Sequence, residues 1–91
     1  MHLHDLIVSE FEQTKSLAAL IYLIDRGREL EFSFRGTVYF LSRYKSQKYV
    51  SLWDNQNEQS FNSTEELTEN AIVSNSTLLS VLPEIQIETI F

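Results

Sequence analysis

Apolar and polar residues alternate strictly at residues 29–35, near the middle of the chain. The apolar residues fall on one side of an extended segment, and the polar residues fall on the other. The apolar side consists of Leu30, Phe32 and Phe34. Gly36 follows, where a tight hairpin turn needs a positive φ angle, and residues 37–43 are rich in β-branched and aromatic side chains. The pattern therefore predicts an antiparallel hairpin.

Two more segments have the composition of strands. Turn-forming residues at 45–47 precede a third predicted strand at residues 49–54, which ends in the polar run 54–57. Alternation returns at residues 84–88, directly after Pro83, and predicts a final strand at a sheet edge. We expect an antiparallel β-meander of three to four strands.

The helix signals lie on either side of this meander. Residues 14–26 contain strong helix formers, with Thr14 as the predicted N-cap and Gly27 as the glycine that ends the helix. Apolar residues at spacings of three and four favour a helix in residues 1–13, with a short edge strand as the alternative. These apolar residues are Leu3, Leu6, Ile7 and Phe11.

Shorter helices are predicted in the second half of the chain. Ser63 and Glu66 form a capping box, which starts a helix that should reach about Asn70. Residues 77–82 offer one or two more turns before Pro83, which disfavours helical geometry in the residue ahead of it. The predicted fold class is α+β, with the meander packed against two or three short helices.

Length and composition favour one domain spanning residues 1–91. The chain has 91 residues, 43% of them hydrophobic, which suits a single folded core. It has no cysteine, and its N-terminus lacks the pattern of an export signal, so we expect a cytoplasmic protein. The longest apolar run, residues 17–24, is far short of the roughly 20 residues that cross a bilayer, so no membrane partner is expected.

Charge is distributed unevenly along the chain. The net charge is −6, yet residues 1–48 hold all seven Lys and Arg against six Asp and Glu, whereas residues 49–91 hold seven acids and no Lys or Arg. One interpretation is a solvated acidic surface that keeps a small protein in solution. The other is an acidic surface that binds a basic or nucleic-acid-binding protein. Its candidate residues are Asp54, Glu58, Glu65, Glu66 and Glu69.

Two further hypotheses concern other surfaces. Cations alternate with aromatic residues in the hairpin region, which is typical of a sheet that binds single-stranded nucleic acid, although the net charge argues against it. The residues for this alternative are Arg35, Arg43, Lys45, Lys48, Tyr49 and Trp53. The apolar run from Leu17 to Ile24 presents apolar groups on every side of its helix, so a structural homodimer through this helix is a third alternative.

Catalysis has little support in the sequence. His2 and His4 stand near Asp5, but a zinc site needs a third ordered protein ligand, and the chain has no other His or Cys. A serine nucleophile would need a neighbouring base, and both imidazoles lie at the terminus. The only two glycines are isolated, so no phosphate-binding loop can be written. We expect a protein that is not an enzyme and that has no cofactor and no metal.

The second half of the chain contains a recognisable series of short motifs. They are Ser51-Leu52-Trp53, Glu58-Gln59-Ser60-Phe61, Glu65-Glu66-Leu67, Glu69-Asn70-Ala71, Leu82-Pro83-Glu84-Ile85 and Ile90-Phe91. With these motifs, residues 28–91 resemble small uncharacterised cytoplasmic proteins of Gram-positive bacteria and their phages or mobile elements. The resemblance brings no catalytic residue. It implies a bacterial protein and raises the option of an inhibitor that occupies a nucleic-acid site.

Overall fold

A computed structural model describes residues 6, 16–44, 49–55 and 57–91. The helices are α1 (Leu17–Asp25), α2 (Thr64–Asn70) and α3 (Leu78–Val81), the last continued by a 3-10 turn at Leu82–Glu84. The strands are β1 (Leu30–Phe34), β2 (Thr37–Tyr44), β3 (Tyr49–Asp54), β4 (Asn57–Phe61), β5 (Ile72–Val73), β6 (Ser76–Thr77) and β7 (Gln86–Ile90). The fold is α+β, which confirms the predicted class.

Five strands form one antiparallel sheet in the order β4-β3-β2-β1-β7. The first four follow one another as a meander, and β7 returns from the far end of the chain to pair with β1. The final strand therefore lies at a sheet edge, as its position after Pro83 predicted. Strands β5 and β6 pair separately as a two-stranded ribbon.

The turn between β1 and β2 has the geometry that the sequence predicted. Phe34 and Thr37 are the last paired residues, so only Arg35 and Gly36 form the turn. Their φ angles are 51° and 82°. Two consecutive positive φ angles make a turn whose twist matches that of the flanking strands.

The core lies on one side of the sheet, between the strands and the helices. Phe32 is fully buried there and stacks on Tyr39, with ring centroids 5.2 Å apart. The buried core residues of the five-stranded sheet are Leu30, Phe32, Phe34, Tyr39, Leu41, Val50 and Leu52. We call this side the helical face and the opposite side the outer face.

Helix α1 begins later than predicted but ends where predicted. Ser16, rather than Thr14, is the N-cap, and its hydroxyl accepts a hydrogen bond from the Ala19 amide at 3.3 Å. Thr14 lies outside the described residues. Gly27 has a φ of 81°, and its amide donates to the Ile24 carbonyl at 2.9 Å, as in the motif that commonly ends helices. The α1 residues buried within this chain are Ala19, Leu20, Leu23 and Ile24.

The later helices follow the predicted signals closely. The Ser63 hydroxyl accepts a hydrogen bond from the Glu66 amide at 3.0 Å, and α2 ends at Asn70 as expected. Helix α3 is shorter than the predicted 77–82 segment. Pro83 lies inside the 3-10 turn, whose early positions tolerate a residue without an amide hydrogen.

Four strands differ from the sequence-based expectation. Strand β4 spans Asn57–Phe61, where the sequence predicted turn residues up to position 57 and no element beyond it, because an exposed edge strand is polar and shows no apolar alternation. The β5–β6 ribbon has only two residues in each strand, which is too few to show an alternation of apolar and polar residues in the sequence. The last strand spans Gln86–Ile90 rather than residues 84–88, because Glu84 belongs to the preceding 3-10 turn.

Some predictions fall outside the described residues. These are the turn at 45–47, the histidines His2 and His4, and the predicted helix in residues 1–13, of which only Leu6 is described. Among the helices that the structure describes, none is long and apolar enough to cross a membrane.

Candidate functional site

The outer face carries a row of four side chains that crosses the sheet. Strand pairing places Glu58 of β4 beside Trp53 of β3, Trp53 beside Phe40 of β2, and Phe40 beside Glu31 of β1. Adjacent strands are about 4.8 Å apart, so the two carboxylate residues stand about 14 Å from each other with two aromatic rings between them. We call these four residues the aromatic row.

Apolar side chains extend this row into a patch. Val38 is 51% exposed and Phe91 is 57% exposed, and the Phe91 ring meets Phe40 edge-on with centroids 5.9 Å apart. Val38, Phe40, Trp53 and Phe91 form the outer patch, and none of them belongs to the hydrophobic core. Within the described ranges, every helix packs on the helical face. No described element covers the outer patch.

Serine hydroxyls hold two carboxylates of the outer face. The Ser51 hydroxyl donates to Glu58 Oε2 at 2.5 Å, and the Ser33 hydroxyl donates to Glu88 Oε1 at 2.7 Å. Glu88 lies at an irregularity in the β1–β7 pairing, which leaves it without a direct partner in the ladder. These bonds fix negative charge on two of the five strands. With Glu31, the outer face holds three carboxylates around its apolar centre.

The arginines of the described ranges are engaged elsewhere. Arg43 forms an ion pair with Asp25 at 2.9 Å on the helical face, where Asp25 also accepts a hydrogen bond from Thr64. The guanidinium of Arg26 lies 4.9 Å from the Tyr22 ring centroid, and that of Arg35 lies 5.1 Å from the Phe34 ring centroid.

Arg28 is the arginine that approaches the outer patch. Its guanidinium donates a 3.5 Å hydrogen bond to the backbone carbonyl of Phe91, which lies at one corner of the patch. No described strand contributes a Lys or Arg side chain to the outer face. The outer face is therefore apolar at its centre and acidic around it.

The five acidic residues singled out from the sequence do not form one surface. Glu58 lies on the outer face. Glu65, Glu66 and Glu69 lie on the exposed side of α2, which packs against the helical face through Leu67. The fifth residue, Asp54, ends β3 and pairs with Tyr39. Sequence reasoning missed Glu31 and Glu88, since it did not establish that β1 and β7 are neighbours.

The set proposed for nucleic-acid binding is also divided. Trp53 and Tyr49 alternate with the core residues of β3 and so lie on the outer face. Arg43 lies on the helical face in its ion pair, and Arg35 lies in the hairpin turn. Lys45 and Lys48 lie outside the described residues.

A groove of about 480 Å³ lies at the end of the sheet, between the β1–β2 turn and the β3–β4 turn. It is lined by Gly36, Thr37, Val38, Tyr39, Phe40, Trp53, Asp54 and Asn55. Burial raises the pKa of the Tyr39 hydroxyl above its ordinary value of 10.0, and the nearby charge of Asp54 raises it further, against a smaller opposing effect of the Ser74 backbone. Asp54 is the charged residue of this groove.

No known protein supplies a function by similarity. No family model, curated protein or solved structure matches the chain. Within the ranges that the structure covers, no three His, Asp or Glu side chains come together as a metal site would require. The geometry of the outer face is therefore the basis for a functional proposal.

Proposed function

We propose that this chain is a non-catalytic binding module of the cytoplasm that docks a basic partner protein on its outer face. The observation that supports this proposal best is the aromatic row. It places Trp53 and Phe40 side by side on a face that no described element covers, with Glu58 and Glu31 at its two ends. The proposal retains the acidic surface predicted from the sequence but moves its centre from α2 to the sheet.

The physical roles of the two residue types differ. Burial of aromatic and aliphatic surface supplies most of the affinity of an interface, and single Trp anchors often contribute about 2 kcal/mol or more. Carboxylates at the rim contribute mainly to the association rate and to the choice of partner. A partner with an apolar patch surrounded by Lys and Arg would match both the aromatic centre and the acidic rim of the outer face. The three outer-face carboxylates favour such a partner over an acidic one.

Inhibition is one activity that such a module could have. Proteins that bind nucleic acid present Lys and Arg to phosphate groups. A face with carboxylates on three strands can occupy those same side chains and exclude the nucleic acid. The inhibitor role is thus a special case of the docking proposal, in which the bound surface is a nucleic-acid site.

Fluorescence anisotropy with a defined probe tests the proposal. The probe is a labelled decapeptide pool in which Arg or Lys alternates with randomised residues, and a pool with Glu or Asp at those positions is its control. We expect the basic pool to bind the native chain and the acidic pool not to bind. The double variant Glu31→Lys, Glu58→Lys should weaken binding by about tenfold or more, equivalent to about 1.4 kcal/mol.

A matched variant separates the outer face from general charge effects. Glu65→Lys, Glu69→Lys changes the net charge by the same amount on the exposed side of α2, so we expect less than about a twofold change. Equal weakening by the two double variants would contradict docking on the outer face. Circular dichroism of each variant establishes that the fold is retained.

Two other experiments test the two rival hypotheses. Binding of a labelled single strand that weakens steeply with salt and is lost on Arg43→Glu would favour the nucleic-acid alternative. A dimer in sedimentation that is lost on Ile21→Lys would favour the homodimer alternative. The docking proposal predicts neither result.

A further inference from the structure

We infer that the basic partner docks an extended segment along β4, where this segment adds a further strand to the sheet. This inference rests on the proposed function and names the form in which the module recognises its partner. Strand β4 lies at one end of the strand order and carries Glu58, the last residue of the aromatic row. A segment added there would continue the outer face directly beyond that row.

The backbone of β4 has unpaired hydrogen-bonding groups along its free edge. In an antiparallel ladder every second residue turns its amide and carbonyl away from its partner, so about half of these groups on an edge strand are left unpaired. Among the described residues, the backbone of β4 forms hydrogen bonds with β3 alone. The β5–β6 ribbon is bonded to β4 through the Gln59 side chain, and Asn57, Glu58 and Ser60 are exposed. The edge is therefore accessible to another strand.

The two edges of the sheet differ in how well they could accept a strand. Natural sheets protect their edges from other chains with bulges, Pro and Lys. The pairing of β7 with β1 is interrupted next to Glu88, whereas β4 pairs with β3 through five consecutive residues. Strand β4 also contains no Pro and no Lys. It thus has the regular geometry that strand addition requires.

The charge of Glu58 favours one kind of occupant. A strand added at about 4.8 Å places one of its side chains directly beside Glu58, where Lys or Arg is stabilising and Asp or Glu is destabilising. A second copy of this chain fits less well, because each copy has a net charge of −6 and would bring its own Glu58 to the same edge. We therefore assign the edge to an extended basic segment.

Hydrogen exchange measured by nuclear magnetic resonance on the full chain tests the inference. The probe is the heptapeptide Lys-Thr-Arg-Thr-Lys-Thr-Arg, blocked at both ends, whose alternation suits an extended segment. In the free chain we expect alternate amides within residues 57–61 to exchange rapidly. Saturating heptapeptide should slow exchange at these amides by about tenfold or more, because an added strand forms hydrogen bonds with them.

A matched peptide separates strand addition from simple attraction between charges. Methylation of the internal backbone nitrogens of the heptapeptide keeps every side chain and charge but removes the amide hydrogens that pair with a strand. The methylated heptapeptide should bind about tenfold or more weakly than the unmethylated one. Equal affinity of the two peptides, or unchanged exchange within residues 57–61, would overturn the inference.

Variants identify the carboxylate that selects the occupant. Glu58→Gln should weaken binding of the unmethylated heptapeptide by about threefold or more. Glu65→Gln removes the same charge from α2 and should have no effect. An unchanged affinity in Glu58→Gln would contradict the assignment. Slow exchange at the same amides in a dimer that forms without peptide would give the edge to a second copy and would also overturn it.

The results for the edge and for the outer face are separable. If the basic peptide pool depends on Glu31 and Glu58 while neither it nor the heptapeptide slows exchange within residues 57–61, the edge inference fails and the proposed function stands. If the heptapeptide slows exchange there while Glu31→Lys, at the far end of the aromatic row, leaves binding of the basic pool unchanged, docking across the outer face fails and the edge retains its ligand.

Discussion

Tyr39 shows how one side chain connects the core to the edge of the candidate site. Its ring stacks on Phe32 inside the core, and it pairs across the sheet with Asp54. Burial of the hydroxyl raises its pKa most, and the negative charge of Asp54 raises the pKa further. The protonated hydroxyl is therefore the form that the folded state favours.

This raised pKa predicts a loss of stability in alkali. Above pH 10, the unfolded chain releases the Tyr39 proton before the folded chain does, so the free energy of unfolding falls as the pH rises through the folded pKa. Chemical denaturation at about pH 8 and at about pH 11 measures this loss. In Tyr39→Phe the loss should be smaller than in the native chain. An equal loss in both proteins would contradict the assignment, and Tyr22→Phe serves as the control.

Ser42 and Ser51 form a second informative pair at the scale of single residues. They face each other across β2 and β3, and both are buried on the outer face. The Ser51 hydroxyl bonds to Glu58 and to Ser60, whereas the Ser42 hydroxyl has no hydrogen-bond partner among the described residues. A buried hydroxyl without a partner costs free energy that an alanine would not.

The two serines should therefore respond in opposite directions to the same substitution. We expect Ser42→Ala to raise the free energy of unfolding by about 1 kcal/mol, and Ser51→Ala to lower it by about 1–2 kcal/mol. Urea denaturation of the two variants and the native chain measures both effects. A loss of stability in Ser42→Ala would show that its hydroxyl is satisfied.

At the scale of elements, the edge strand β4 is stabilised by an unusual side-chain contact. The Gln59 amide group donates to the Ile72 carbonyl at 2.9 Å and accepts from the Ile72 amide at 2.7 Å. A side chain thus makes the pair of hydrogen bonds that a neighbouring strand would make. This contact attaches the β5–β6 ribbon to the edge of the sheet.

Loss of this contact should loosen the ribbon. We expect Gln59→Ala to lower the free energy of unfolding by about 1–2 kcal/mol and to accelerate hydrogen exchange at the Ile72 amide. Gln86→Ala removes a glutamine from the other edge strand, where the structure describes no such contact, and should be nearly neutral. Unchanged exchange at Ile72 would contradict the role given to Gln59.

The elements also show what could be predicted from the sequence. Strand β1 and its turn were predictable because the strand buries one face only, so Leu30 and Phe32 alternate with polar residues. Strand β4 was not, because an edge strand has little apolar surface to bury. The site was predictable only in part. Trp53 and Glu58 were singled out, but Glu31 and Glu88 join them only through the long-range pairing of β7 with β1.

At the scale of the whole molecule, the sheet separates two chemically different surfaces. The helical face holds the core, the Arg43–Asp25 ion pair and the acidic side of α2. The outer face holds the outer patch and carboxylates from both halves of the chain. Acidity at the proposed site is thus a product of strand order and does not come from the acidic second half alone. Glu31 comes from the first half of the chain, where positive and negative charges nearly cancel, and folding places it in the same row as Glu58.

The most direct measurement of the central claim uses the protein's own fluorescence. Trp53 is the only tryptophan in the chain and lies in the aromatic row, so its emission reports on the outer face. Acrylamide is uncharged and quenches exposed indole without a bias from the surrounding carboxylates. If a basic partner docks on the outer face, saturating basic peptide pool should lower the quenching constant of Trp53, and Glu31→Lys, Glu58→Lys should abolish this protection. A quenching constant that stays the same while the peptide pool is bound would contradict docking at this face.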